Sequence, residues 1–235
     1  MIFKDFEEKF TPKTINDIVF PSNKAQQLIE DIIVGNRPFP IRKGKCGILL
    51  YGVPGTGKSA LAKLLPDAIE QARTGNESNA KFEQVEAGNN GLKMLTNIMN
   101  NIQFIPYASH HYFVLDEVDR LNKEAMQILK SAMNYPNTVW VLTTNNFGDI
   151  EAGVKDRCHC IQFNAAPAAN WRPLARRILA HASVKGITDA QLDAIIEPCN
   201  GSARQITDAI VELALAVHRC QASNSLLVAT GSTVI

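Results

Sequence analysis

The feature that most constrains this chain is the octapeptide Gly-Val-Pro-Gly-Thr-Gly-Lys-Ser at 52–59. Gly52, Gly57, Lys58 and Ser59 stand at the fixed places of the pattern G-x-x-x-x-G-K-[ST]. An apolar run, GILLYG at 47–52, precedes it, and an apolar-periodic stretch, ALAKLL at 60–65, follows it. A buried strand, a glycine-rich turn and a helix N-terminus in that order make a cradle of backbone N–H groups for an anion. Gly52, Val53, Pro54, Gly55, Thr56, Gly57, Lys58, Ser59 and Ala60 therefore form a candidate phosphate loop. In such a loop the lysine meets the terminal phosphates of a nucleotide such as ATP, and the serine hydroxyl ligates Mg²⁺.

That unit predicts more of its kind. Further strand candidates stand at 82–86, 112–116, 138–143 and 160–163, separated by helical patterns at 58–73, 91–102 and 121–134, with an earlier helix at 23–35. The alternation predicts an α/β unit over 1–165, a five-stranded parallel sheet with helices on both faces. After Ala165-Ala166-Pro167 the strand signal stops, and helical stretches at 168–182, 188–197 and 202–219 predict a small all-helical lid over 166–220. The segment 221–235 has no clear period and is expected to be a loosely ordered tail.

Two strand ends carry polar chemistry. The third strand closes as Tyr112-Phe113-Val114-Leu115-Asp116-Glu117. A carboxylate at the C-terminal end of a parallel strand lies in the crevice where ligands bind. Asp116 is the candidate holder of Mg²⁺, and Glu117 the candidate base for an attacking water. The fourth strand ends Thr143-Thr144-Asn145-Asn146, where a polar side chain can hold that water or the terminal phosphate.

Composition excludes several classes. The chain has 24 basic against 23 acidic residues, so bulk charge does not drive it onto nucleic acid or anionic membrane. No apolar run reaches the roughly 18–20 residues that span a bilayer. The N-terminus MIFKDFEEKF carries acids where a secretory signal needs an apolar stretch. Five scattered cysteines fit reduced thiols and a cytoplasmic setting better than a disulfide framework. Cys158-His159-Cys160 is no metal site by itself, because successive strand residues face opposite ways.

Taken together, the motifs resemble the AAA+ ATPases, and within them the clamp-loader branch of replication factor C small subunits and phage clamp loaders. FEEKFTPKTINDIV (6–19), DEVDRLNKEAMQILKSAMN (116–134), VWVLTTNN (139–146), KDRC (155–158) and GSARQ (201–205) follow the family order. The resemblance implies an oligomeric ATPase whose sites lie between subunits. It implies Asn145 as the sensor residue (with Asn146 the alternative), Arg157 as the arginine finger for a neighbour's site, and Arg204 as the lid arginine on the bound nucleotide. Phe10, Pro12, Ile18 and Val19 lie where the family forms its adenine pocket.

Departures from the family pattern are visible. Thr11 and Asp156 replace the usual arginine and serine, and the expectation is of a subunit without the collar domain that such proteins carry. For a DNA partner, the segments 87–104 and 120–135 offer Lys93, Arg120, Lys123 and Lys130 against Glu124, a mild basic face. The resemblance implies homo- or hetero-oligomers acting on DNA, with a sliding clamp or replication protein as partner and no membrane. A small regulatory ATPase or helicase loader of a phage or mobile element is the alternative. A polypeptide-threading remodeller fits least, because AGNNGLKML (87–95) lacks the aromatic of a pore loop.

Overall fold

The computed structural model describes residues 5–85 and 91–230. They fall into two units, one within 12–164 and the other made of residues 5–11 together with 165–230. Part of the pore-loop segment, 87–90, and the last residues of the tail, 231–235, lie outside the described residues.

The first unit is an α/β sandwich. Its strands are β1 (Gly47–Tyr51), β2 (Lys81–Gln84), β3 (His111–Asp116), β4 (Thr138–Thr144) and β5 (Cys158–Gln162). They form one five-stranded sheet in the order β2-β3-β4-β1-β5, and every neighbouring pair is parallel. A buried parallel strand needs apolar side chains on both faces, because helices cover both. Ile48 and Leu50 of β1, Val114 of β3 and Val141 of β4 point to one layer, with Ile29, Ile32, Leu61 and Leu65. Leu49, Phe113, Trp140 and Leu142 point to the other, with Leu95, Ile98, Met126 and Leu129. The first layer is built by α2 (Asn23–Val34) and α3 (Lys58–Thr74), the second by α4 (Leu92–Asn101), α5 (Lys123–Ala132) and the short α6 (Ala152–Asp156). The expected architecture is present. β2 is solvent-exposed throughout, as an edge strand is, and β5 starts at Cys158 rather than at 160.

The second unit is helical: α1 (Phe6–Phe10), α7 (Ala168–His181), α8 (Asp189–Ile196) and α9 (Ala203–Thr230). Phe10 meets Phe6 at 4.9 Å and His181 edge-on at 5.6 Å between ring centroids, so α1 groups with these helices rather than with the sheet. Arg172 of α7 pairs with Asp193 and Asp189 of α8, and Trp171, Ile178, Leu192, Ile206 and Ile210 fill the interior. The residues read as a loose tail continue α9 through Thr230, which corrects that expectation. After Gly201 no glycine or proline interrupts the chain until Gly231, so nothing stops the helix.

Candidate functional site

The site grows from the C-terminal ends of β1, β3 and β4. After Tyr51 the chain turns through Gly52 (φ 145), Gly55 (φ 82) and Gly57 (φ 97), and α3 starts at Lys58. A β-carbon on Gly52 would stand 2.5 Å from Asn164 Oδ1 and 2.8 Å from the Phe163 carbonyl, so only glycine fits. Thr56 pins the loop by donating its hydroxyl hydrogen to the carbonyls of Val53 (3.1 Å) and Phe163 (2.7 Å).

Lys58 is buried, and its ammonium donates to the carbonyls of Gly52 (3.0 Å) and Val53 (2.7 Å). Burial pulls its pKa down, against the opposing pull of the Asp116, Asp119 and Glu117 carboxylates. A cation held on loop carbonyls beside acids is poised for phosphate oxygens, which supply the charge the carbonyls lack.

Asp116 ends β3, and β4 lies between β3 and β1. Ser59 Oγ, one residue into α3, donates to Asp116 Oδ1 at 2.8 Å. Thr143 of the intervening strand donates to the same oxygen and accepts from the Glu117 backbone N–H at 3.0 Å. One buried threonine therefore ties the two acids to the strand beside the phosphate loop. The sequence reading stopped at the tetrad 143–146 and favoured its asparagines. Asn145 and Asn146 are both exposed, and Thr144 accepts from the Asn146 backbone N–H at 2.9 Å. The missed signal was a run of threonines, Thr138, Thr143 and Thr144, buried in an otherwise apolar strand.

Glu117 has left-handed backbone (φ 60), rare for a residue with a side chain. Arg120, the last residue of the tight turn Val118–Arg120, places Nη1 2.8 Å from Glu117 Oε2. The two are in ionic contact without hydrogen-bond alignment, so Glu117 Oε2, like Asp119 Oδ1, is buried without a hydrogen-bond partner. The donor set here is hydroxyl and carboxylate oxygen, Ser59, Asp116 and the carboxylates of Glu117 and Asp119 nearby, and hard oxygens of this kind fit Mg²⁺ with its waters. The loop with Lys58 fits the phosphates of a nucleotide.

The remaining residues lie elsewhere. Arg157 stands just before β5, whose first residue is level with the first residue of β1, and its side chain donates from Nε to Asn134 Oδ1 (2.9 Å) and from Nη1 to the Gly153 carbonyl (2.7 Å). Pro12, Ile18 and Val19 belong to the α/β unit, where Ile18 packs on the α2–α3 layer, and Phe10 belongs to the helical unit. Arg204 is exposed in the first turn of α9. Of the four basic residues read as a face, Arg120 and Lys130 are ion-paired, the latter to Glu151 at 2.6 Å, while Lys93 and Lys123 are exposed.

Residues 48–165 match the ATPase family associated with various cellular activities (AAA), and the chain belongs to that family. It is 28% identical over 208 residues to a replication factor C small subunit 2 of Pyrobaculum islandicum, covering 86% of this chain and 61% of that one. It is 25% identical over 228 residues to a replication factor C small subunit 1 of Pyrobaculum arsenaticum, covering 95% and 65%. The chain thus spans less than two thirds of the length of these relatives. The clamp-loader resemblance of its motifs and these relatives point the same way. A RuvB variant from Thermotoga maritima shares the fold, with a TM-score of 0.63 over 92% of this chain and 68% of that one at 17% identity.

Proposed function

We propose that the chain is a clamp-loader-like ATPase subunit that hydrolyses ATP with Mg²⁺ at the interface between subunits and acts on DNA. The observation that carries this reading is the position of Arg157. Cys158 is level with Gly47, and the phosphate loop begins only after Tyr51, four residues on. At ~3.3 Å per residue, the strand alone separates them by about 13 Å. An arginine held at that end, on Asn134 and Gly153, serves a neighbour's phosphates rather than its own.

Within one site the roles divide by chemistry. Lys58 and the loop amides bind the phosphates, and Ser59 and Asp116 hold the metal. Glu117 takes the proton of the attacking water, with Asn145 orienting that water. By the clamp-loader resemblance, Arg204 is assigned to the nucleotide, and Phe10, Pro12, Ile18 and Val19 to the adenine. When bound, the metal neutralises phosphate charge and orients the terminal group.

Two surfaces support the proposed partners. Lys93 and Lys123 are exposed cations for the phosphates of DNA, too few in one chain for tight binding, so several subunits act together. Phe104, Ile105 and Tyr107, between α4 and β3, are 72%, 94% and 85% exposed. An apolar cluster in the open is what a protein partner covers, and a sliding clamp is the partner this reading names.

The test mixes two inactive variants. Lys58→Ala keeps Arg157 but loses its own phosphate site, and Arg157→Ala does the reverse. Each should be inactive alone, and the mixture should recover hydrolysis, with specific activity rising with protein concentration. A mixture as inactive as its parts, or activity flat with concentration, removes the trans-acting arginine.

A further inference from the structure

The loop before β1 carries the basic residues Arg42, Lys43 and Lys45, and the first two are exposed. Lys45 departs from that description. It is half-buried, and its ammonium donates to the carbonyls of Asp156 (3.1 Å) and Cys158 (2.7 Å), the residues on either side of Arg157. The Arg157 carbonyl between them accepts from the backbone N–H groups of Cys46 and Gly47, both at 3.0 Å. The tripeptide Lys45-Cys46-Gly47 thus engages three successive carbonyls around the arginine.

The same tripeptide reaches the arginine from its other side. Burial raises the Cys46 thiol to about 11, so it stays protonated and donates to the Met133 carbonyl at 3.0 Å. The next residue, Asn134, is the acceptor for Arg157 Nε. A β-carbon on Gly47 would stand 2.6 Å from Cys158 Sγ and 2.8 Å from Met133 Cε, so the strand start is closed tightly on both flanks. Asp156 ends α6, where main-chain carbonyls have no helical partner and a lysine is a favourable donor, and Cys158 opens β5.

We propose that Lys45 is a positioning residue for Arg157: it fixes the backbone on both sides of the arginine and so sets where the guanidinium stands on the neighbouring subunit. This rests on the reading of Arg157 as a finger acting in trans. The bonds of Lys45 go to the finger segment and not to the phosphate loop at the far end of β1. Its loss therefore impairs the subunit as a donor of the arginine and spares it as a binder of nucleotide. A displacement of about 1 Å in a transition-state contact costs on the order of 10²-fold in rate.

The experiment uses Lys45→Met, which keeps the aliphatic stem, and Lys45→Arg, which keeps a donor. Affinity for a fluorescent ATP analogue and thermal melting, measured on each, report whether the fold and the nucleotide site survive. Lys45→Met is then mixed with Lys58→Ala, and separately with Arg157→Ala. In the first mixture, with Lys58→Ala in large excess, nearly every Lys45→Met nucleotide site faces an intact Arg157 from its partner, so hydrolysis recovers to the level of wild type mixed with the same excess of Lys58→Ala. In the second it must supply the arginine itself, and recovery is at least tenfold lower than with wild type in its place. Lys45→Arg restores much of that difference. Equal recovery in both mixtures, or loss of nucleotide affinity together with melting temperature, overturns the proposal. The mixture of Lys58→Ala with Arg157→Ala separates the two ideas: no recovery there overturns the trans reading and this inference with it, whereas recovery there beside equal behaviour of Lys45→Met overturns this inference alone.

Discussion

Arg120 Nη1 stands 2.8 Å from Glu117 Oε2, so the carboxylate assigned to activate water is ion-paired within its own turn. Arg120 is 45% exposed and Glu117 22%, a partly solvated pair. Such pairs are worth up to about 1 kcal/mol, enough to bias the position of the carboxylate without locking it.

Removing the guanidinium should therefore release the base. Arg120→Ala is expected to raise basal ATP turnover by about two- to fivefold, the factor that an ion pair of up to about 1 kcal/mol corresponds to. Steady-state hydrolysis at saturating ATP, with no other macromolecule present, measures it. Turnover at or below wild type would mean that the contact helps rather than restrains Glu117.

The two charged groups of the site should fail differently. Lys58→Ala loses the main cation on the terminal phosphates, and nucleotide binding itself should fall away. Glu117→Gln keeps the shape of the side chain and removes only the proton acceptor, so ATP affinity should persist while hydrolysis is lost. Equilibrium binding and single-turnover hydrolysis on each variant separate these outcomes.

Thr143 offers a test of the tie between the acids. Thr143→Val keeps the volume but leaves the Glu117 N–H without its acceptor and Asp116 with one hydroxyl fewer. A buried donor left unmade costs about 1–3 kcal/mol. Both melting temperature and turnover should fall, and Thr143→Ser, which restores the hydroxyl, should recover most of the turnover. If valine matches wild type in turnover, the bridge has no part in holding Asp116 and Glu117.

Glu70 predicts a pH dependence away from the site. It is buried near the end of α3 and accepts from Ser109 N (2.9 Å), the Ser109 hydroxyl, Tyr112 OH (2.7 Å) and Thr74 Oγ1 (2.9 Å). Burial alone would raise its pKa, but these hydrogen bonds outweigh it and bring the carboxyl down from 4.5 to about 2. A carboxyl whose folded pKa lies below its unfolded one stabilises fully above the unfolded value, and that stability is lost as pH falls through the folded one. The stability difference between wild type and Glu70→Gln should be largest above about pH 4.5, a few kcal/mol by linkage, and shrink towards pH 2. Denaturant melts across that range measure it, and a difference independent of pH would deny Glu70 its charge in the folded protein.

The phosphate loop and the sheet were legible because their signals are local: a fixed glycine spacing between an apolar run and a helix, then strands repeating with helices between them. The relations that complete the site are not local. Thr143 meets Asp116 only because β4 is inserted between β3 and β1, an order that chain sequence does not state. Arg120 meets Glu117 because the turn after β3 is tight and Glu117 takes a left-handed backbone, whereas a regular helix or an extended loop would part them. Lys45 and Arg157 are more than a hundred residues apart, joined by the β1–β5 register. The continuation of α9 through 221–230 was missed for another reason, since a weak apolar period hides a helix that no residue interrupts.

One strand touches both ends of this chemistry. β1 begins at the residues that clasp Arg157 and ends at Tyr51, just before Gly52, where the phosphate loop of the same subunit opens. A short buried strand, hydrogen-bonded on both sides, transmits displacement along its axis more readily than it bends. In an assembly where Arg157 reaches the adjoining subunit, contacts are head-to-tail and every subunit has a distinct upstream and downstream neighbour. Nucleotide pressing on the loop at one end of β1 would be felt through the arginine at the other, and only by the subunit on that side. The assembly would then possess a direction, with hydrolysis passing from subunit to subunit one way around.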